Sequence, residues 1–178
     1  LLLPALVGTK EKAKASICRG NLRQFGQATH LYCGDNNGFF PYFIQGSSGT
    51  QLAWRENREF LHSLGYRDGH LVDGYPGDMA SNAGSGVAVC PSATLDDCDH
   101  TTGGRLIVTY GADSFLNYNA PGQAFNGPHR ITDVPYATSK VSLFMDSKRY
   151  YAPGMIASRH RGRFNAVFLD SHVKALID

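Results

Sequence analysis

The chain has 178 residues, 42% hydrophobic and 18% charged, which is enough apolar content to bury a core, and its length favours one domain. The net charge of +2 is unevenly placed: residues 1–33 hold Lys10, Lys12, Lys14, Arg19 and Arg23 against Glu11, and the remainder is slightly acidic. The basic cluster lacks interleaved aromatics, so the balance argues against a nucleic-acid partner.

The opening LLLPALV is apolar but too short to cross a bilayer, which takes about 20 such residues. Pro4 removes a backbone donor and would kink a helix continuing upstream, a defect that membrane segments tolerate. From Ala5 to Cys33 the spacing predicts one helix. Cys18, Leu22, Phe25, Thr29 and Tyr32, with Ala28 beside them, recur every three or four residues as a narrow apolar stripe, and Arg19, Arg23, Gln24 and Gln27 fall off it. Gly8, Gly20 and Gly26 each cost about 1 kcal/mol against Ala in a helix interior, so the segment must depend on packing. At about 1.5 Å per residue it is roughly 43 Å long, more than a domain of this size needs, and its first end should overhang. An Asp35-Asn36-Asn37-Gly38 turn ends it.

The four cysteines point to an oxidising compartment. Cys18 and Cys33 stand about 22 Å apart on a continuous helix and cannot bond to each other. Each can reach Cys90 or Cys98. Pairing Cys18 with Cys90 and Cys33 with Cys98 would fasten the helix at two levels; the rival is a Cys90–Cys98 loop staple that leaves two helical thiols free. A zinc site from Cys90, Cys98 and His100 lacks the usual ligand spacing.

Further along, Trp54–Leu64 places Trp54, Arg58 and Leu61 on one side and reads as a second helix, with Gly65 as its C-terminal cap. Residues 66–104 are rich in Gly, Asp, Ser, Asn and Pro and read as a long ordered loop. Asp96, Asp97 and Asp99 concentrate carboxylates there; they are weak candidates for a structural Ca²⁺, which needs hard oxygen ligands, and solvated loop carboxylates are the plainer account. Leu106–Tyr110, Val141–Met145, Phe164–Leu169 and His172–Ile177 read as strands from their β-branched and aromatic content. Asp170 and Ser171 alone join the last two, which implies a tight hairpin, and Ser at a position that favours Gly implies local strain or a different turn type. The expected fold class is α+β, a long N-terminal helix packed on an antiparallel β-sheet, rich in loops.

The groups with chemical potential are Asp146, His160, Asp170 and His172. A strand over residues 163–169 sets His160 and Asp170 at its opposite ends, so the two are not expected in one site. Asp170 with His172 flanks a turn and Asp146 ends another strand, but a small metal or acid-base cluster from them has no motif spacing behind it, and no G-x-S-x-G, H-E-x-x-H or phosphate-cradling Gly loop occurs. Asp170 is expected to cap its turn, with His172 on the strand rim. No catalytic residue is assigned.

Several stretches resemble one family in the right order. Leu3 to Leu6, Lys10 to Lys14, Cys18, Asn21 to Gln24, Tyr32 and the exit Asp35 to Pro41 are similar to the segment that follows the membrane-spanning half of the N-terminal helix in type IV pilin-like proteins, which include the pseudopilins of type II secretion. His160, followed nine residues later by Asp170-Ser171-His172-Val173, resembles the His-x9-Asp-Gly ending of one large prepilin-type group, with Ser171 in place of Gly. Between them lie only short echoes, Cys90-Pro91-Ser92 and Thr109-Tyr110-Gly111.

The resemblance implies that residues 1–33 are the later part of the pilin-like helix and 34–178 the globular head. It also implies a precursor anchored in the inner membrane with its head periplasmic or extracellular, cut and N-methylated by a separate prepilin peptidase. The partners would be the chain itself and other pseudopilins in a filament, together with inner-membrane assembly proteins; neither catalysis nor a cofactor would be required. Some pseudopilins of type II secretion hold Ca²⁺ in C-terminal loops, but that property does not transfer by position to Asp96, Asp97 and Asp99. Two other classes compete. A membrane-tethered glycan- or protein-binding module would use loops such as Asn117-Tyr118-Asn119, and a metal hydrolase would account for only a few His and Asp residues.

Overall fold

The computed structural model describes residues 2–41, 54–66, 86–94, 101–102, 105–106, 108–113, 130–148, 151–152 and 156–177. Helix α1 spans Leu2–Asp35, three residues earlier and two later than its sequence spacing predicts. Pro4 falls in the first turn, where a missing N–H leaves no helical bond unmade. From Cys18 onward the stripe sinks into the protein: Cys18, Leu22, Phe25 and Thr29 are fully buried, Ala28 and Cys33 almost so, and Tyr32 packs against the core half-buried. The buried Thr29 hydroxyl is satisfied by the Phe25 carbonyl at 2.9 Å. The earlier half behaves differently, with Leu6, Val7 and Ile17 exposed at 66%, 61% and 52%.

The helix stops where its last carbonyls find new donors. Gly38 N–H bonds Cys33 O at 2.7 Å and the Asn36 side-chain amide bonds Tyr32 O at 3.0 Å. Asn37 and Gly38 adopt positive φ (53° and 83°), the left-handed step that these residue types accept most easily.

Among the described residues seven strands follow: β1 (Thr101–Thr102), β2 (Arg105–Leu106), β3 (Tyr110–Asp113), β4 (Ser142–Asp146), β5 (Tyr151–Ala152), β6 (Arg163–Phe168) and β7 (Val173–Ile177). β3, β4, β6 and β7 form an antiparallel sheet in the order 3-4-6-7, and β5 adds to the β3 edge in parallel, which departs from a purely antiparallel expectation. The fold is α+β, with α1 laid across β6, β4 and β7.

The predicted strand Leu106–Tyr110 is divided. β1 and β2 pair with each other, and β3 begins only at Tyr110. Thr109 is drawn elsewhere: its N–H bonds Ala88 O at 3.1 Å and its hydroxyl accepts the Cys90 N–H at 2.6 Å, which ties residues 88–90 of the expected long loop to the sheet. The predicted helix Trp54–Leu64 is also divided, into a 3₁₀ turn (Trp54–Glu56) and α2 (Arg58–Ser63). Asn57 causes the break, since its side chain caps α2 by accepting the Phe60 N–H at 3.1 Å. Gly65, just past the end, has φ +89°.

Between α1 and the sheet lies an aromatic core centred on Phe25. Its ring centroid is 4.7 Å from Phe144, 5.3 Å from Trp54, 5.6 Å from Tyr110 and 6.5 Å from Phe60, mostly in edge or tilted geometry. The opposite sheet face carries a smaller cluster in which Met145, Phe164 and Ala166 are shielded by Ile156, Phe168 and Leu176. Gly26 sets how closely the helix can approach. A Cβ there would sit 2.9 Å from Val167 Cγ2 and 3.1 Å from Ser171 Oγ, so α1 lies on the β6–β7 hairpin through bare backbone.

Phe25→Ala should cost about 3–5 kcal/mol and lower the thermal midpoint by roughly 6–20 °C. A midpoint unmoved by that change would remove the helix-to-sheet packing described above. Gly26→Ala, which raises helix propensity, should nevertheless destabilise by about 1–3 kcal/mol in urea unfolding, because the added methyl overpacks the hairpin. A gain in stability would show that the approach is looser than 2.9 Å.

Candidate functional site

The functional groups named from sequence separate into two places. The first lies beneath α1 at the end of β4. Cys18 on α1 is bonded to Cys90, with Cα atoms 5.1 Å apart. The Cys90 sulfur is 3.5 Å from His160 Nε2, and that nitrogen is 3.4 Å from Asp146 Oδ2. The Asp146 side chain is 0% exposed and that of His160 only 7%.

Each member is held by a different element. Asp146 closes β4 opposite Tyr110 of β3, and its Oδ2 accepts the Asn165 N–H at 2.7 Å and the Asn165 side-chain amide at 3.0 Å. His160 sits in the turn before β6, where Arg161 and Gly162 take φ of 58° and 76° and His160 N–H bonds Arg163 O at 3.0 Å. Arg159 donates to Thr109 O at 2.8 Å and to Ser147 O at 2.7 Å, which places a guanidinium beside the cluster. Asn21, one turn along α1 from Cys18, donates to Val89 O at 3.1 Å and to the Tyr110 hydroxyl at 3.3 Å. Burial and then the nearby Asp146 carboxylate push the Tyr110 hydroxyl far above its ordinary range, so it stays protonated. One atom of the cluster is left over: among the described residues, Asp146 Oδ1 is buried and has no hydrogen-bond partner.

The second place is the β6–β7 turn. Asp170 Oδ1 accepts the His172 N–H at 3.2 Å and lies 2.5 Å from His172 Nδ1, while the His172 ring stacks on Phe168 with centroids 4.4 Å apart. Ser171 takes φ +64°, the left-handed conformation that Gly would adopt more easily. α1 grips this turn as well, through His30 Nε2 at 2.6 Å from Leu169 O. His160 and Asp170 thus occupy opposite ends of β6 and do not share a site.

Cys18 and Cys90 form one of the two pairings weighed from sequence. Among the described residues Cys33 bonds no other cysteine; it is a free thiol in the core, and burial raises it to about 11, so it stays protonated and unreactive. Asp96, Asp97, Cys98, Asp99 and His100 lie outside the described residues, as do Asn117, Tyr118 and Asn119. A cleft of about 300 Å³ lined by Tyr32, Asp35, Asn36, Glu59, His62 and Ser63 opens where α1 meets α2. Sequence reasoning named Asp146 and His160 but did not pair them. Asn165, Arg159 and Asn21 carried no chemical signal, because only the β4–β6 register and the course of α1 bring them together.

No family model, curated protein or solved structure matches this chain.

The Asp170 turn makes a pH-dependent contribution. Desolvation, the largest single influence, pushes the Asp170 carboxyl up, but hydrogen bonds from the His172 ring and amide together with smaller effects outweigh it and hold the carboxyl below its ordinary range. A depressed carboxyl stabilises the fold above the unfolded value of about 3.9, and the contribution is lost as pH falls through the folded value. Asp170→Asn should be less stable than the parent at neutral pH, with the two converging as pH falls through the depressed folded value. A gap that stays constant across that range would mean the carboxylate charge is not what matters.

Proposed function

We propose that this chain is a structural subunit of a pseudopilus or type IV pilus-like filament, with its globular part in the periplasm or outside the cell. The observation that carries the reading is the division of α1. A continuous helix of 34 residues, about 51 Å long, buries its later half against the sheet and leaves Leu6, Val7 and Ile17 exposed on its earlier half.

A long helix that is half sheathed and half bare suits assembly by helix packing, in which copies cover one another's exposed apolar positions. Lys10, Lys12 and Lys14 lie on the bare half, where anionic head groups or acidic neighbours would attract them. Among the described residues no helix is long and apolar enough to cross a membrane. Anchoring in the inner membrane would therefore need an apolar stretch preceding α1 in the precursor, cut and methylated by a prepilin peptidase. The Cys18–Cys90 bond accords with an oxidising compartment. The role asks for no catalysis and no cofactor from the chain; its partners would be copies of itself, other pseudopilins and inner-membrane assembly proteins.

The test is the mature N-terminus of the natural protein, taken from envelope and sheared-surface fractions and read by mass spectrometry. An N-methylated first residue after loss of a short leader is the expected result. An unprocessed or conventionally cleaved terminus would overturn the proposal and leave a tethered binding module as the reading to pursue.

A further inference from the structure

We infer that Cys18, Cys90, Asp146 and His160 make a tetrahedral zinc site when the Cys18–Cys90 bond is reduced, so that one buried locus is a disulfide in one redox state and a metal centre in the other. The inference does not depend on the filament reading.

Geometry comes first. One donor atom from each of the four residues lies within 4.8 Å of the other three. Four ligands at about 2.0–2.3 Å from a tetrahedral ion stand roughly 3.3–3.8 Å apart, so the widest pairs close by about 1 Å through side-chain rotation, while the two sulfurs part once their bond is reduced. The donors come from four separate segments: α1, the residue 86–94 segment, the end of β4 and the turn before β6. Such a set is fixed by the whole fold and leaves no short ligand motif in the sequence.

The donor chemistry selects the ion. Two thiolates, an imidazole and a carboxylate form a mixed soft and borderline set that suits Zn²⁺ and is wrong for Ca²⁺ or Mg²⁺, which take oxygen. Asp146 supplies the independent sign of a missing ligand. Its side chain is fully buried, Asn165 and His160 engage Oδ2, and Oδ1 has no partner. A carboxylate held in this way is oriented by Asn165 and keeps unfilled acceptor capacity for a cation, as outer contacts commonly arrange a metal-binding carboxylate. Charge also closes. Two thiolates and one carboxylate exceed Zn²⁺ by a single negative charge, and the Arg159 guanidinium beside Ser147 and Thr109 offsets it.

The redox step balances with a dithiol as reductant. The dithiol delivers two electrons and two protons to the Cys18–Cys90 bond and becomes a disulfide itself, leaving two protein thiols. Zn²⁺ then displaces one proton from each thiol as the two metal–sulfur bonds form.

The test uses the full chain, reduced anaerobically with a phosphine that ends as its oxide with oxygen taken from water. Co²⁺ serves as the spectroscopic probe, with Zn²⁺ in competition. Reduced protein should bind one Co²⁺ per chain, with tetrahedral visible bands and thiolate-to-cobalt charge transfer, and Zn²⁺ should displace it. Cys18→Ser/Cys90→Ser should lose the charge-transfer band, and His160→Gln should weaken Co²⁺ by more than about 100-fold while keeping that band at high metal. The oxidised chain should show no charge transfer. Absence of the band in reduced protein, or its survival in the double serine variant, would overturn the inference, the latter by placing the metal on Cys33 or Cys98. Should reduction unfold the chain, return of the far-UV dichroism on one equivalent of Zn²⁺ supports the site, and failure to return counts against it.

Discussion

Everything in this fold depends on how closely α1 can lie on the β4–β6–β7 surface. Gly26 lets the backbone reach Val167 and Ser171, and Phe25 beside it fills the space bounded by Trp54, Phe60, Tyr110 and Phe144. The two residues act together, because the approach that Gly26 permits is what brings Phe25 within 4.7 Å of Phe144. A helix with four glycines, three of them interior, is weak by propensity, so its persistence over 34 residues must come from this packed face and from the covalent tie at Cys18. Burial of a Phe or Leu at this interface contributes about 1.5–3 kcal/mol, comparable to the whole propensity deficit of those glycines.

The same close approach explains the polar layer at the end of β4. Asp146, Asn165, Tyr110 and Asn21 are all buried, and burial of such groups is tolerable only when their hydrogen bonds are made inside. They largely are: Asn21 serves the Val89 carbonyl and Tyr110, and Asn165 serves Asp146 twice. The exception is Asp146 Oδ1, which makes this end of the sheet chemically unlike the aromatic core a few ångströms away. The two cysteine environments differ in the same sense. Cys18 and Cys90 adjoin His160 and Asp146, whereas Cys33 is surrounded by apolar groups that keep its thiol protonated.

The helix was legible in the sequence because its signal is periodic: Cys18, Leu22, Phe25, Thr29 and Tyr32 mark one face whatever lies opposite. The strands were legible as β-branched runs, and the Asp170-Ser171 hairpin was legible as a gap too short for anything else. What failed were boundaries decided by single hydrogen bonds. Asn57 cuts the Trp54–Leu64 helix by capping Phe60, and Thr109 delays the start of β3 by bonding Ala88 and Cys90, and neither side chain announces its partner in sequence. The cluster at Asp146 was invisible for a deeper reason. Its members are spread from position 18 to position 165, and only the antiparallel register of β4 with β6, and the seat of α1 above them, brings them together. The parallel β5 edge was equally hidden, since two residues leave no periodicity to read.

Cys18 stands where the exposed half of α1 gives way to the buried half, and it is the residue bonded to Cys90. A tensile load applied along the exposed half meets a covalent bond before it reaches Leu22 or Phe25. Force then leaves the helix at its point of entry into the head, passing through Cys90 and Thr109 into the strand that begins at Tyr110. The aromatic interface beyond is shielded from shear while the bond is intact. With the bond cut, the first element to resist is the sliding of Leu22 and Phe25 over the sheet, which yields at far lower force than a sulfur–sulfur link.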